Sequence, residues 1–185
     1  MAKLELVIEP DPRYNRISDR LRAKSEPVAE VTPELQQLAR DMHETMREEA
    51  GVGLAAPQIG RNIRLVVIHL PEGYQDEIDT EVNLTLFNPE IVKAGGRETD
   101  YEGCLSFPDL IGPVERYSWV IVKGQDENGD RVRFRAKGIL ARVLQHEIDH
   151  LDGVLFFDRM ESIGLLFYPH EVQAEEEESE EAVTV

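Results

Sequence analysis

The stretch Gln145-His146-Glu147-Ile148-Asp149-His150-Leu151 limits what this chain can fold into more than any other. Two histidines four positions apart share one helix face, about one turn from each other, so both rings can reach a single ion. The glutamate directly after the first histidine can lean towards a water at that ion and take its proton. This is the H-E-x-x-H arrangement of hydrolytic metal sites. Leu140, Val143, Leu144, Ile148 and Leu151 recur at helical spacing around it, with Gly138 before the run and Gly153 after it. Taken alone, the five-residue pattern also fits a core helix that carries polar residues by chance.

Size and composition are those of one soluble globular domain: 185 residues, 31% charged and 41% hydrophobic. No apolar run is long enough for a signal peptide or a membrane span, so a cytoplasmic protein without a membrane partner is expected. The single cysteine, Cys104, excludes an intramolecular disulfide. The net charge is −17, and seven of those charges are glutamates in residues 171–185, which hold no Lys or Arg. Residues 171–185 are therefore expected to form an acidic, disordered tail behind a single catalytic domain of residues 1–170. Direct nucleic-acid binding is not expected of so acidic a chain.

Residues 1–31 are rich in Pro, Arg and Glu and read as turns and extended segments, with Arg13, Arg16, Arg20 and Arg22 on a solvated face. Thr32-Pro33-Glu34 opens a helix: a capping hydroxyl, a proline at the first helical position and an acid in the first turn. Leu35, Leu38, Ala39, Met42 and Met46 form its buried stripe, His43 is expected beside that stripe and partly exposed, and Gly51 is expected to stop it. Gly51-Val52-Gly53-Leu54-Ala55-Ala56-Pro57-Gln58 is dense in small residues, which lets a backbone pass close to a ligand. It also fits a tight connection from helix to strand. Arg64–Leu70 reads as a strand with a structural His69, and 84–92 as a strand whose Asn88-Pro89 marks an edge or bulge. Residues 114–123 read as a further strand, Glu127-Asn128-Gly129-Asp130 as a hairpin turn, and 131–136 as a strand with one wet, arginine-bearing face. These elements predict an α+β fold in which antiparallel sheets pack around a central metal-binding helix.

A lone cysteine is ordinarily a small buried hydrophobe. Here Cys104 lies in a Gly-Cys-Leu-Ser turn, and as a thiolate it would complete a Cys-His-His set with a fourth position open to water, the layout of a catalytic rather than a structural site.

Three segments, Glu102-Gly-Cys-Leu-Ser, Gly-x-Gly-Leu-Ala-Ala-Pro-Gln and Gln-His-Glu-x-Asp-His, together resemble the peptide deformylase family over roughly residues 10–160. The resemblance implies hydrolysis of the N-formyl group from the initiator formyl-methionine of nascent polypeptides, with release of formate. It implies one divalent metal, ferrous iron (Fe2+) natively, with Zn2+, Ni2+ or Co2+ able to take its place. Carried over by position, Cys104, His146 and His150 would bind the metal, and Glu147 would be the general acid/base. Gln58 and the backbone N–H of Leu105 would hold the oxyanion. Gly53 would let the substrate backbone lie against its loop, Ile139 and Val143 would line the methionine pocket, and Glu102 with Arg116 would form a supporting ion pair. The chain departs from some members at Asp109-Leu110-Ile111, where an arginine is missing. Its acidic end also differs from the basic C-terminal helix that some members dock on the ribosome, so only a transient encounter at the ribosome exit is implied.

Two other readings remain at this point. A zincin-like endopeptidase would take a third ligand from a later helix, and His170 and Glu171 lie 20 and 21 positions after His150. A metal-binding module without activity would need neither Glu147 nor Gln58.

Overall fold

The computed structural model describes residues 3–76 and 78–171. A short turn of helix, α1 (Asp19–Arg22), precedes α2 (Pro33–Glu48). The strands follow as β1 (Gly53–Ala55), β2 (Leu65–Leu70), β3 (Val82–Gly95), β4 (Glu98–Cys104), β5 (Phe107–Arg116), β6 (Trp119–Gln125) and β7 (Arg131–Lys137), and then α3 (Gly138–Leu151). The strands form an antiparallel five-stranded sheet in the order β1-β2-β3-β6-β7 and a separate two-stranded sheet, β4-β5.

Alternation along β2 shows why the large sheet is covered on both faces. Val66, Ile68 and Leu70 point into a cluster with Ala141, Val143, Leu144, Ile148 and Leu151 of α3. Leu65 and Val67 point the other way, into a cluster with Ala39, Met42 and Met46 of α2. A further cluster, with Phe107, Leu110 and Val114 of β5 and Leu155, Phe156 and Phe157 of the segment after the helix, meets α3 where Phe156 stacks on His146. Every residue of α3 from Ala141 to Leu151 is buried. The helix is central, between two sheets, as an α+β fold built around the metal motif requires.

The start of α2 follows its sequence signals: the Thr32 hydroxyl accepts from the Leu35 N–H and Pro33 opens the helix. Its end does not. Ala50, not the glycine, takes the left-handed conformation at φ 54°. Gly51 is needed for a different reason, because a Cβ there would stand 2.7 Å from Cδ1 of Leu105. His43 is buried rather than partly exposed, with Nε2 3.0 Å from the Thr85 hydroxyl.

The expected strand 84–92 is part of the longer β3, which lies mid-sheet, so the edge alternative fails and the bulge alternative holds. Register shifts between Phe87 and Glu90, where Asn88 has φ 51° and its side-chain amide bonds both backbone groups of Val28. The expected strand 114–123 divides at Tyr117-Ser118, and its halves lie in different sheets. The Gln145 side chain holds that corner, accepting from the N–H and donating to the carbonyl of Tyr117. Of the arginines expected on a solvated face, Arg16, Arg20 and Arg22 are exposed, Arg22 in a pair with Asp158, whereas Arg13 is half-buried against Asp11. Among the described residues no helix is long and apolar enough to cross a membrane. The acidic tail expected over 171–185 lies outside the described residues, apart from Glu171.

Candidate metal centre

The i, i+4 spacing on α3 places the His146 and His150 rings with centroids 5.0 Å apart. The end of β4 brings Cys104 to the same point, with Sγ 3.3 Å from Nε2 of His150. Ligand atoms of Cys104, His146 and His150 all lie within 4.8 Å of one another. They form the one such His/Cys/Asp/Glu group among the described residues to include these histidines, and neither His170 nor Glu171 joins it. The third ligand that a zincin-like site would need is therefore not supplied from the later segment.

The donor set suits a divalent cation. A thiolate sulfur and two imidazoles match the soft and borderline ligands of zinc and ferrous iron. Nδ1 of His146 is engaged with the Glu102 carboxylate at 2.9 Å, which leaves Nε2 to face Cys104. Burial, with the nearby His146 adding to it, holds the His150 pKa well below its ordinary value, so this ring keeps one nitrogen lone pair.

Behind the donors lies a buried ionic network. Oε1 of Glu102 accepts from Arg116 Nε at 2.9 Å and from Arg142 Nη1 at 2.8 Å, while Oε2 accepts from Arg116 Nη2 and His146 Nδ1, both at 2.9 Å. Those four bonds use the full acceptor capacity of a carboxylate and fix its plane. Burial alone would raise the Glu102 pKa, but the Arg116 and His146 hydrogen bonds outweigh it and hold the group well below the usual carboxylate range. Arg116 also bonds Asp149, which in turn pairs with Arg159 at 2.7 Å.

Glu147, on the face of α3 beside the histidines, is buried, and its Oε2 has no hydrogen-bond partner among the described residues. Burial pushes its pKa up to about 7. Gln58 sits in a 3-10 turn, Ala56–Ile59, after β1. Its Oε1 accepts from the Ala55 N–H at 2.8 Å, so its amide nitrogen faces Cys104 Sγ and Ser106 Oγ, each at 3.4 Å.

These groups open onto a cavity of about 530 Å³. Of the residues singled out from sequence, Gly53, Gln58, Glu102, Cys104, Leu105, Ile139, Val143, His146 and Glu147 line it. His150 lies behind them at 1% exposure and Arg116 at 4%. Asp109, Leu110 and Ile111, where the arginine is missing, also line the wall. The sequence reading gave no role to Arg142, Asp149, Gln145, Ser106 or Arg159, although Gln145, Asp149 and Ser106 stand inside its motifs. A signal existed for the first two: they are charges on a helix whose apolar residues all read as core, and buried charges need partners.

A buried helix carrying two imidazoles and an unpartnered carboxylate, facing a cysteine from a neighbouring strand, defines a metallohydrolase of the H-E-x-x-H type. The family model for polypeptide deformylase matches residues 6–165. A peptide deformylase of Thermomicrobium roseum is 48% identical over 184 residues, covering 100% of this chain and 99% of the relative. The crystal structure of a peptide deformylase from Ehrlichia chaffeensis in complex with actinonin superposes with a TM-score of 0.78 at 35% identity, covering 89% of this chain and 92% of that one. A Met-Ala-Ser-bound class I type b peptide deformylase from Acinetobacter baumannii gives a TM-score of 0.77 at 35% identity, covering 86% and 99%. The chain belongs to the polypeptide deformylase family.

Proposed function

We propose that this protein hydrolyses the N-formyl group of formyl-methionyl nascent polypeptides, releasing formate and a free amino terminus. The observation that carries the reading is the convergence of a buried Glu147 carboxylate, whose Oε2 has no partner among the described residues, with Cys104 and His146 in one open cavity and with His150 directly behind them. Cys104, His146 and His150 would hold one divalent metal, Fe2+ natively and Zn2+, Ni2+ or Co2+ in its place. Such an ion supplies Lewis acidity that makes water nucleophilic near neutral pH.

The chain's own groups account for the rest. Glu147, with its pKa near 7, can take a proton from the attacking water and return it to the departing amine. The water's oxygen bonds to the formyl carbon, the C–N bond breaks, and the two protons end on the amine and on formate or solvent. Gln58 Nε2, aimed by the Ala55 N–H, and the backbone N–H of Leu105 would stabilise the formyl oxygen as it gains charge. Ile139 and Val143, on the same wall, offer apolar surface to a methionine side chain. Gly53 lines the same cavity, where the substrate backbone would lie against its loop. Glu102 and Arg116 orient His146. That the Acinetobacter baumannii relative binds Met-Ala-Ser, a peptide beginning with methionine, supports this substrate class.

In this reading residues 1–170 form the catalytic domain, and the protein meets nascent chains transiently at the ribosome exit in the cytoplasm. The test is formate release from formyl-Met-Ala-Ser by protein purified without oxygen and loaded separately with Fe2+, Zn2+, Ni2+ and Co2+. Turnover of the formyl peptide and none of acetyl-Met-Ala-Ser is expected. No formate from any metal form would overturn the proposal.

A further inference from the structure

We infer that Arg142 is the positioning residue that holds the Cys104-bearing hairpin β4-β5 against the histidine-bearing helix α3. The inference rests on the reading of Cys104, His146 and His150 as one metal set.

The hairpin lacks the usual means of staying in place. Along β4 only Glu102 is buried, and the other residues from Glu98 to Cys104 are partly or fully exposed. A two-stranded sheet is marginal by itself, and β5 alone carries an apolar face, through Phe107, Leu110 and Val114. Cys104 packs against the Phe107 cluster at the end of β4, but the rest of that strand is held to α3 by polar contacts. Arg142 makes three of them. Its Nη1 donates to Glu102 Oε1 at 2.8 Å and to the Val114 carbonyl at 3.0 Å, and Nη2 donates to the Glu98 carbonyl at 3.0 Å. One guanidinium thus ties both strands of the hairpin, at three points, to the helix turn directly before His146.

The planar fork matters here. Lysine offers a single ammonium on a flexible stem and cannot span three acceptors fixed on two strands. Glu102 stands two residues before Cys104 on β4 and also orients His146, so a shift of its carboxylate moves one prospective ligand and releases another. Arg116 also ties β5 to α3, through Asp149, but its guanidinium bonds only the side chains of Glu102 and Asp149 and holds no backbone group of β4.

The experiment measures zinc affinity by chelator competition at a temperature well below melting. Arg142→Met should bind zinc roughly 10–100-fold more weakly than wild type, the range seen when groups supporting metal ligands are removed. Arg142→Lys keeps the buried charge balanced, so it should fold and still lose several-fold in affinity. Val122→Ala, a core change on the far side of α3 in β6, serves as the comparison: it should lower the melting temperature and leave affinity unaltered. Wild-type affinity in Arg142→Lys, or an equal loss in Val122→Ala, would overturn the inference alone. Absence of zinc binding by the wild type would overturn the metal set and the inference with it.

Discussion

The Glu147 carboxylate occupies the space that a side chain on Gly53 would fill: a Cβ at Gly53 would stand 2.8 Å from Cδ and 2.9 Å from Cγ of Glu147. Gly53 begins the edge strand β1 and is paired with Ile68, so its backbone cannot retreat without disturbing that pairing. Gly53→Ala should push the carboxylate aside. Misplacement of a reacting group by about 1 Å can cost on the order of 10²-fold in rate. The expected result is a fall of that size in kcat/KM with zinc content unchanged. Full activity in Gly53→Ala would mean that Glu147 tolerates displacement and is not the proton carrier.

Glu147→Gln tests the same role without changing shape. The amide fills the site but accepts no proton, and general acid/base catalysis commonly contributes about 10²–10⁴-fold. The variant should retain stoichiometric metal and lose activity within that range. Near wild-type turnover by the metal-loaded variant would remove Glu147 from the mechanism.

The contrast between Glu147 and Arg142 shows what could be read from sequence. Glu147 declares itself through a local pattern: two histidines four apart on a helix constrain the residue beside them wherever the helix lies. The Cys104 turn and the Gln58 loop are likewise short segments with distinctive composition. Arg142 stands on that same helix and has no pattern of its own, because its partners are Glu102 and two carbonyls 28 and 44 residues away. The break at Tyr117-Ser118 was hidden for a similar reason. The run from Val114 to Lys123 is β-branched or aromatic throughout its apolar positions, and what divides it is a tertiary clamp from Gln145. The buried state of His43 also depends on a distant strand, through Thr85. The stop at Ala50 shows that Gly51 was the right residue credited with the wrong reason.

Cys104→Ser should weaken zinc binding and weaken ferrous iron binding as well, because a neutral hydroxyl replaces a soft, charged thiolate. Protein carrying Fe2+ beside this thiolate should lose activity in air, through oxidation of the sulfur or the iron, faster than protein carrying Zn2+ or Ni2+. Competition with a chromophoric chelator measures the first effect, and timed assays in air measure the second. Unchanged affinity in Cys104→Ser would assign the cysteine a packing role. Equal lifetimes for all the metal forms would argue against an iron–thiolate pair.

His43 gives a pH dependence remote from the metal set. The ring is buried on α2, with Nε2 at the Thr85 hydroxyl and no partner at Nδ1 among the described residues. Burial, aided by the positive charge of Arg47 and by His69, lowers its pKa to about 4. In the unfolded chain the same group titrates near its ordinary value of about 6.5. Between those two values the unfolded state binds a proton that the folded state refuses, so stability rises with pH there. The contribution is fully present above about pH 6.5 and is lost as the pH falls towards 4. At about 1.4 kcal/mol for each pKa unit the whole gap of about 2.5 units would come to about 3.5 kcal/mol, and incomplete titration by pH 4.5 together with solvent screening of the exposed Arg47 charge reduces the expectation to about 2 kcal/mol. His43→Gln can keep a bond to Thr85 and has nothing to titrate. Urea denaturation of both proteins at pH 7.5 and pH 4.5 isolates the effect, since the carboxylates that also titrate in this range are common to both. Wild type should lose roughly 2 kcal/mol more than His43→Gln on acidification, and parallel losses in the two proteins would show that His43 is free to take up its proton in the folded state.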